Sequence, residues 1–137
     1  MKTLKRQDLL YPELSYQIVG AMFDVFNELG YGYREYFYQK ALVARLNELG
    51  VSFKEQVKLP LMFRGQQVSW QIADFIIDNK IVVELKKGFR ISQNDIDQVV
   101  SYLKGADVKL GLLARFSEKG LIYRRILNSD SYIRKNS

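Results

Sequence analysis

The sequence predicts one α+β domain built on a mixed β-sheet. Two helical apolar patterns open the chain, strand-like segments fill its middle, and a third helical pattern precedes two further strands. With 137 residues of which 47% are apolar, the chain is large enough for one hydrophobic core. We expect a single domain over residues 1–137, with a core over about 10–127 and a polar tail over 128–137.

Apolar residues at helical spacing predict the first two helices. The first helix is expected to start at Ser15 as its N-cap and to stop at Gly30. A tight link at 31–33 then leads to a second helix from about Arg34 to Leu49, which Gly50 ends. Its expected inward positions are Phe37, Ala41, Leu42, Leu46 and Leu49.

An antiparallel meander is expected next, because β-branched and aromatic runs alternate with turn residues. Pro60 should interrupt the first strand and place it near a sheet edge. A tight turn at 78–80 makes the last two segments a hairpin. The predicted strands are 51–59, 67–77 and 81–87.

Ser92 and Asp95 have the spacing of a capping box and predict a third helix through Leu103. Its inward stripe is Ile96, Val99, Val100 and Leu103. A strand over 109–114 should be central, and one over 121–127 should be half exposed. Because a helix separates 81–87 from 109–114, we expect a crossover that makes those two strands parallel.

The residue types that the chain lacks exclude whole classes of site. It has no cysteine and no histidine. Disulfides, thiolate zinc sites, serine–histidine hydrolase chemistry and imidazole ligands are therefore excluded. Any bound metal must be held by oxygen, which favours Mg²⁺, Mn²⁺ or Ca²⁺.

The charge and the hydropathy bear on partners and location. The net charge is +6, and from Lys104 onward eight Lys or Arg stand against three acids. This excess permits a polyanionic partner such as nucleic acid, although a solvated basic surface accounts for it equally well. No apolar run has the length of a membrane span, so we expect a cytoplasmic protein without membrane contacts.

Three charged residues interrupt the apolar hairpin. Asp74 lies inside the first strand, and Glu84 and Lys86 lie in the second. Side chains alternate along a strand, so Glu84 and Lys86 share one face. Buried carboxylates are costly unless they are paired or bind a metal. In a purely structural role, Glu84 and Lys86 would form an ordinary surface ion pair, and backbone amides would satisfy the Asp74 carboxylate.

These residues resemble the signature of the PD-(D/E)XK nuclease superfamily, in which an acid on one strand is followed by Glu-x-Lys on its hairpin partner. The segment 32–38, Gly-Tyr-Arg-Glu-Tyr-Phe-Tyr, also resembles the pattern of the GxxExxY protein family. Gln98 and Tyr102 are similar to the Q-x-x-x-Y helix motif of nucleases related to the RecB nuclease domain. The resemblance implies a restriction-endonuclease-like core and hydrolysis of DNA with Mg²⁺ or Mn²⁺.

Roles for individual residues follow from that reading. Asp74 and Glu84 supply oxygen ligands to the metal, with the Leu85 backbone carbonyl and Glu35 as further candidates. Lys86 orients the attacking water or stabilises the developing charge. Gln98 and Tyr102 are expected to support Lys86 or Glu84, or to contact a phosphate. The residues expected to bind nucleic acid are Lys87, Arg90, Gln98 and Tyr102.

One position departs from the family pattern and keeps a second function open. Members of the GxxExxY family commonly carry a histidine in the first helix, whereas this chain has Phe26 there. A missing imidazole would weaken metal binding. The alternative is therefore a nuclease-fold domain that binds nucleic acid or a protein without cutting. An enzyme acting on RNA or on another phosphoester also stays open.

Overall fold

The computed structural model describes residues 10–128, which form three helices and a five-stranded sheet. The helices are α1 (Pro12–Leu29), α2 (Glu35–Leu49) and α3 (Gln93–Ala106). The strands are β1 (Phe53–Phe63), β2 (Gln66–Ile77), β3 (Ile81–Lys87), β4 (Leu110–Ser117) and β5 (Gly120–Leu127). The α+β fold expected from the sequence is confirmed. The tail expected over 128–137 lies outside the described residues, apart from Asn128.

The strands lie in the sheet in chain order, from β1 at one edge to β5 at the other. β3 and β4 run parallel, with Ile81 beside Leu110 and Lys87 beside Phe116, and every other neighbouring pair is antiparallel. Since α3 joins the two parallel strands, the predicted crossover is confirmed.

Alternation along the central strands creates two cores, one on each face of the sheet. Val83 and Leu112 face α1 and α2, whereas Val82 and Leu113 face α3. α3 packs closely because β4 carries Gly111, where an added Cβ would stand 2.5 Å from a Val99 methyl carbon. The four inward positions predicted for α3 are all buried.

Two predictions about the first helices were wrong. α1 begins at Pro12, three residues before the expected cap, because proline has no N–H to lose and a helical φ at the first position. Ser15 is instead buried in the first turn, where its hydroxyl accepts a hydrogen bond from Arg125 at 3.0 Å. In α2, the expected inward residue Phe37 is 44% exposed and its neighbour Tyr38 is fully buried.

Contrary to the prediction, Pro60 does not interrupt the first strand. β1 continues to Phe63, with Pro60 opposite Trp70, and the register shifts between Leu61 and Met62. β1 is an edge strand, so the missing proline N–H on its open side removes no ladder bond. The placement of this strand at a sheet edge is confirmed.

The β1–β2 hairpin projects beyond the rest of the sheet. β2 pairs with β3 only over 75–77, while its pairing with β1 runs from residue 66 to residue 77. We call residues 57–72 the β1–β2 arm. Its tip, 61–70, is exposed throughout. No helix within 10–128 is long and apolar enough to cross a membrane.

Candidate active site

The β2–β3 ladder stops where the charged residues begin. Its last pair is Phe75 with Val83, and the next pair in register would join Asp74 to Glu84. On the other side of β2, the β1 residue opposite Asp74 is Gln56, which has a φ of +51° and no ladder partner in the register. The pairing with β1 resumes in the same register at Val57 and Ala73, whereas the pairing with β3 does not resume, and we call the gap between Asp74 and Glu84 the fork.

Side chains replace the missing backbone pairing at the fork. The Leu85 N–H donates to Asp74 Oδ2 at 2.9 Å, and the Asp74 N–H donates to Glu84 Oε1 at 3.2 Å. Both carboxylates are buried, with Asp74 8% and Glu84 6% exposed. The hairpin alternation and these two bonds bring the acids together, as the sequence predicts. The structural alternative for Asp74, a carboxylate satisfied by a backbone amide, is also met, so the bond from the Leu85 N–H alone does not define a functional site.

Burial makes these acids hard to ionise. Loss of solvent, together with the Asp74 charge, raises the pKa of Glu84 to about 8, although Lys86 opposes the shift. Burial likewise raises the pKa of Asp74, with the Glu35 charge adding to the effect. A cation beside both carboxylates would offset this repulsion and the desolvation.

Lys86 is the cation that the chain itself supplies at the fork. Its Nζ lies 3.5 Å from Glu84 Oε2. Only 20% of the Lys86 side chain and 7% of the Glu84 side chain are exposed. The pair is therefore not the solvated surface ion pair that a purely structural role predicts.

Glu35 reaches the fork from the start of α2. Its Oε2 accepts a hydrogen bond from the Lys87 N–H at 3.1 Å, across 52 residues of chain. Its charge is close enough to Asp74 to raise the pKa of that acid. Glu35 therefore borders the site and at the same time holds the end of β3.

Gln98 and Tyr102 approach from the opposite layer, on α3. Tyr102 is 4% exposed, and burial together with the charges of Glu84 and Asp74 raises its pKa. Gln98 is exposed, and its side chain lies close enough to Tyr102 to oppose the rise in the pKa of that phenol, so Gln98 acts on the site through the tyrosine. The motif is thus placed at the fork, with Tyr102 as its inner member.

Arg115 is a residue at the site that sequence reasoning missed. It pairs with Asp95 at 2.7 Å, and it also donates to the Lys87 carbonyl. Burial opposes ionisation of Asp95, but hydrogen bonds from Ser92 and Arg115 outweigh it and lower its pKa. The sequence feature that could have identified it is its position directly after the apolar run of a predicted central strand. The prediction ended that strand at 114, whereas β4 continues to Ser117.

The remaining predicted residues lie around the open end of β3. Lys87 is half-buried, with its Nζ 5.7 Å from the centre of the Tyr31 ring. Arg90 is exposed on the loop that follows. The Leu85 N–H points toward β2, and the N–H and C=O of one strand residue point to the same edge. We therefore expect the Leu85 carbonyl to face the fork as well.

The donor set fits a hard divalent cation. Two buried carboxylates with raised pKa values lie at the fork, and carboxylate oxygen is what Mg²⁺ and Mn²⁺ prefer. Within residues 10–128, no group of three or more acids is arranged to hold one ion. Asp74 and Glu84 would therefore be the protein's acidic ligands, with Glu35 further out.

Phe26 lies beside this end of the sheet. It stands at the position where members of the GxxExxY family commonly carry a histidine. Its ring stacks on Phe116 with centroids 5.9 Å apart, and Tyr38 stacks on the same ring at 4.2 Å. Phe116 is the register partner of Lys87. At this position the chain therefore makes an apolar ring contact and offers no metal ligand.

The fold resembles that of a solved structure at low sequence identity. The crystal structure of SSO0001 is similar over 74% of this chain and 58% of its own, with a TM-score of 0.55 and 18% identity. An alkaline exonuclease from Laribacter hongkongensis gives a TM-score of 0.49 and 13% identity, over 68% of this chain and 55% of its own. The chain thus spans less than two thirds of each of these proteins.

Comparison with families gives the assignment. No curated protein matches the chain significantly. The family model of the PD-(D/E)XK nuclease superfamily matches residues 12–126, which include all five strands apart from the last residue of β5 and every residue of the fork. The chain belongs to the PD-(D/E)XK nuclease superfamily.

Proposed function

We propose that the protein hydrolyses phosphodiester bonds of DNA with Mg²⁺ or Mn²⁺. The observation that carries the proposal is the fork, where two buried carboxylates are opposed by one half-buried lysine. Desolvation raises the pKa of both acids, and a neighbouring negative charge adds to the shift, from Asp74 at Glu84 and from Glu35 at Asp74. Such an arrangement costs stability in a purely structural role and is typical of a functional site.

The residues divide the work by chemistry. Asp74 and Glu84 hold the cation, with the Leu85 carbonyl as an additional oxygen. A bound divalent ion neutralises phosphoryl oxygens and lowers the pKa of water. Lys86 stands beside Glu84 and stabilises the negative charge that grows as water attacks. From α3, Tyr102 lies close enough to Glu84 for the carboxylate charge to raise the pKa of its phenol, and from α2, Glu35 holds the end of β3 through the Lys87 N–H.

We extend the proposal to the finer classification. The Gly32, Glu35 and Tyr38 pattern supports membership of the GxxExxY family within the superfamily, because Glu35 borders the fork and Tyr38 anchors the loop before α2. The Tyr38 hydroxyl donates to the Gly30 carbonyl at 2.6 Å. We favour DNA over RNA as the substrate, with Lys87 and Arg90 placed to contact phosphates, and the cytoplasm as the location.

The second candidate is binding without cleavage, and Phe26 is the observation that favours it. Its stacked ring supplies neither a ligand nor a proton carrier next to the fork. In that case Lys87 and Arg90 would still contact nucleic acid, and the buried acids would have no catalytic role.

Asp74→Asn tests the proposal. The amide oxygen can still accept the Leu85 N–H, so the fork should keep its shape while metal binding weakens. Asp78→Asn is the matched control, because Asp78 is an exposed acid at the other end of the hairpin. We expect wild type and Asp78→Asn to cleave DNA with Mg²⁺ or Mn²⁺, EDTA to stop both, and Asp74→Asn to be at least about 100-fold slower.

Absence of EDTA-sensitive cleavage on single-stranded DNA, duplex DNA and RNA, with several divalent metals, would contradict hydrolysis. Phe26→His then separates the two candidates. If the histidine variant cuts and the wild type does not, the absent imidazole is what silences the site. If neither cuts while nucleic acid still binds, the protein is a binding domain.

A further inference from the structure

Aromatic side chains and cations are paired around the open end of the fork. Each of these rings is exposed by two fifths or more and has a basic group within 6.0 Å of its centre. The pairs are Tyr31 with Lys87, Phe37 with Arg34, and Tyr36 with Lys40. We call these three pairs the α2 rim. Of the four tyrosines in this segment only Tyr38 is fully buried, and Tyr33 packs edge-on against its ring.

The α2 rim borders the site itself. Arg34 and Tyr36 are the chain neighbours of Glu35, whose carboxylate accepts the Lys87 N–H. Lys87 in turn lies over Tyr31. A ligand lying on these rings would therefore touch the segment that borders Asp74.

Besides Arg64 with Phe63 at its tip, the β1–β2 arm carries a fourth pair on the same side of the sheet as the α2 rim. Lys58 Nζ lies 4.6 Å from the centre of the Trp70 ring, and Trp70 is 51% exposed. Gln71 hydrogen-bonds to Ser101 on α3, so it faces the α3 layer. Its neighbour Trp70 must point to the opposite face, where α2 lies. Trp70 is four residues before Asp74, about 13 Å along the strand.

Exposed rings beside cations suit unpaired bases better than a duplex. Each base of a single strand offers a face that can stack on an aromatic ring, and the adjacent cation can bind its phosphate. In a duplex the base faces are covered by their neighbours, so the rings would add little to the phosphate contacts. Charge alone does not distinguish the two forms, but four exposed ring–cation pairs do.

We propose that this site takes single-stranded nucleic acid, which lies across the β1–β2 arm and the α2 rim and presents a phosphate to the fork. The inference rests on the nucleic-acid part of the proposed function but not on cleavage. It assigns Trp70 and Tyr36 as stacking residues on either side of Asp74, with Lys58 and Lys40 as their phosphate partners.

The chain carries its own probe for this binding. Trp70 is its single tryptophan, so fluorescence quenching reports on the arm alone. The full chain is titrated in EDTA, which prevents cleavage, with oligothymidylate and with a hairpin duplex of the same total length. We expect oligothymidylate to quench Trp70 and to bind at least about 10-fold more tightly than the duplex.

Two variants and a matched control locate the surface by anisotropy of a labelled oligothymidylate. Tyr36→Ala and Trp70→Ala should each weaken binding by about 5- to 100-fold, the range measured for the loss of one stacked base. Tyr16→Ala is the control, because Tyr16 is 83% exposed on α1, about 20 Å along the helix from its end near the rim. It should leave binding unchanged.

Three outcomes would overturn the inference. One is duplex binding as tight as single-strand binding, and a second is an equal effect of Tyr16→Ala and Tyr36→Ala. The third is self-association that Trp70→Ala abolishes, without any affinity for oligothymidylate, since the surface would then be a protein interface. If the protein prefers single strands but does not cleave, the proposal of hydrolysis is contradicted and the proposal of single-strand binding is supported. If it cleaves without a strand preference, hydrolysis is supported and single-strand binding is contradicted.

Discussion

Two lysine–carboxylate pairs of nearly equal length stand at opposite ends of β3. Lys80 lies 3.3 Å from Asp78 in the hairpin turn, and Lys86 lies 3.5 Å from Glu84 at the fork. The turn pair is about half exposed on both sides, at 48% and 47%, whereas the fork pair is exposed by only 20% and 7%. At the fork a second carboxylate, Asp74, is close enough to raise the pKa of Glu84.

The comparison shows that the environment, and not the distance, separates a surface ion pair from a candidate catalytic one. At the turn, water screens both charges and the pair contributes little. At the fork, the ladder has ended, and the side chains of Asp74 and Glu84 take over its backbone N–H groups. Charges held there without water act strongly on each other and on any bound phosphate.

The largest expected effect is on catalysis. Lys86→Met keeps the apolar stem but removes the charge, so it should slow metal-dependent cleavage about 100- to 1000-fold, or about 3–4 kcal/mol, while affecting binding less. Lys80→Met should leave the rate unchanged. Steady-state cleavage assays with both variants make the measurement. Equal rates for Lys86→Met and wild type would remove Lys86 from the mechanism.

The second effect is on stability against pH in the absence of divalent ions. The Glu84 carboxyl has an ordinary pKa of 4.5 when unfolded and about 8 when folded. The folded state therefore keeps a proton that the unfolded chain releases, so stability is full below pH 4.5 and falls as the pH rises through 8. At about 1.4 kcal/mol per pKa unit, the loss between these limits is at most about 5 kcal/mol.

Urea unfolding at several pH values, in EDTA, measures this loss. Glu84→Gln should flatten the profile, and Asp78→Asn should not. Adding Mg²⁺ or Mn²⁺ should restore stability above pH 8, because the cation favours the ionised carboxylates. A wild-type stability that rises with pH across this window would contradict the burial of an unscreened acid at the fork.

The smallest effect concerns the support of the fork. Arg115→Met leaves Asp95 with its Ser92 bonds but without its cation, so unfolding should be easier by about 1–2 kcal/mol. Arg45→Met is the matched control, since Arg45 pairs with Asp24 at 2.9 Å but on the surface. Thermal melts should show no shift for the control. An equal shift for both variants would mean that burial does not strengthen the Arg115 pair.

Most of the fold and the centre of the site could be predicted from local patterns. The hairpin over 72–87 has strand-like runs and a polar turn, and its alternation puts Glu84 and Lys86 on one face. Once the turn is fixed, the register alone brings Asp74 opposite Glu84. Helix bounds were less secure, because Pro12 and Ser15 both offer a start and the contact between Ser15 and Arg125 spans 110 residues.

What only the tertiary structure decided depends on contacts between layers. Glu35 meets the Lys87 N–H across 52 residues, and Arg115 meets Asp95 across 20. The exposure of Tyr36 and Trp70 follows from where α2 begins and where the pairing of β3 with β2 stops. A sequence period of 2 or 3.6 residues tells which side of an element a residue occupies. It does not tell what lies on that side, because the packing of helices on the sheet sets the neighbour, its distance and the water between them.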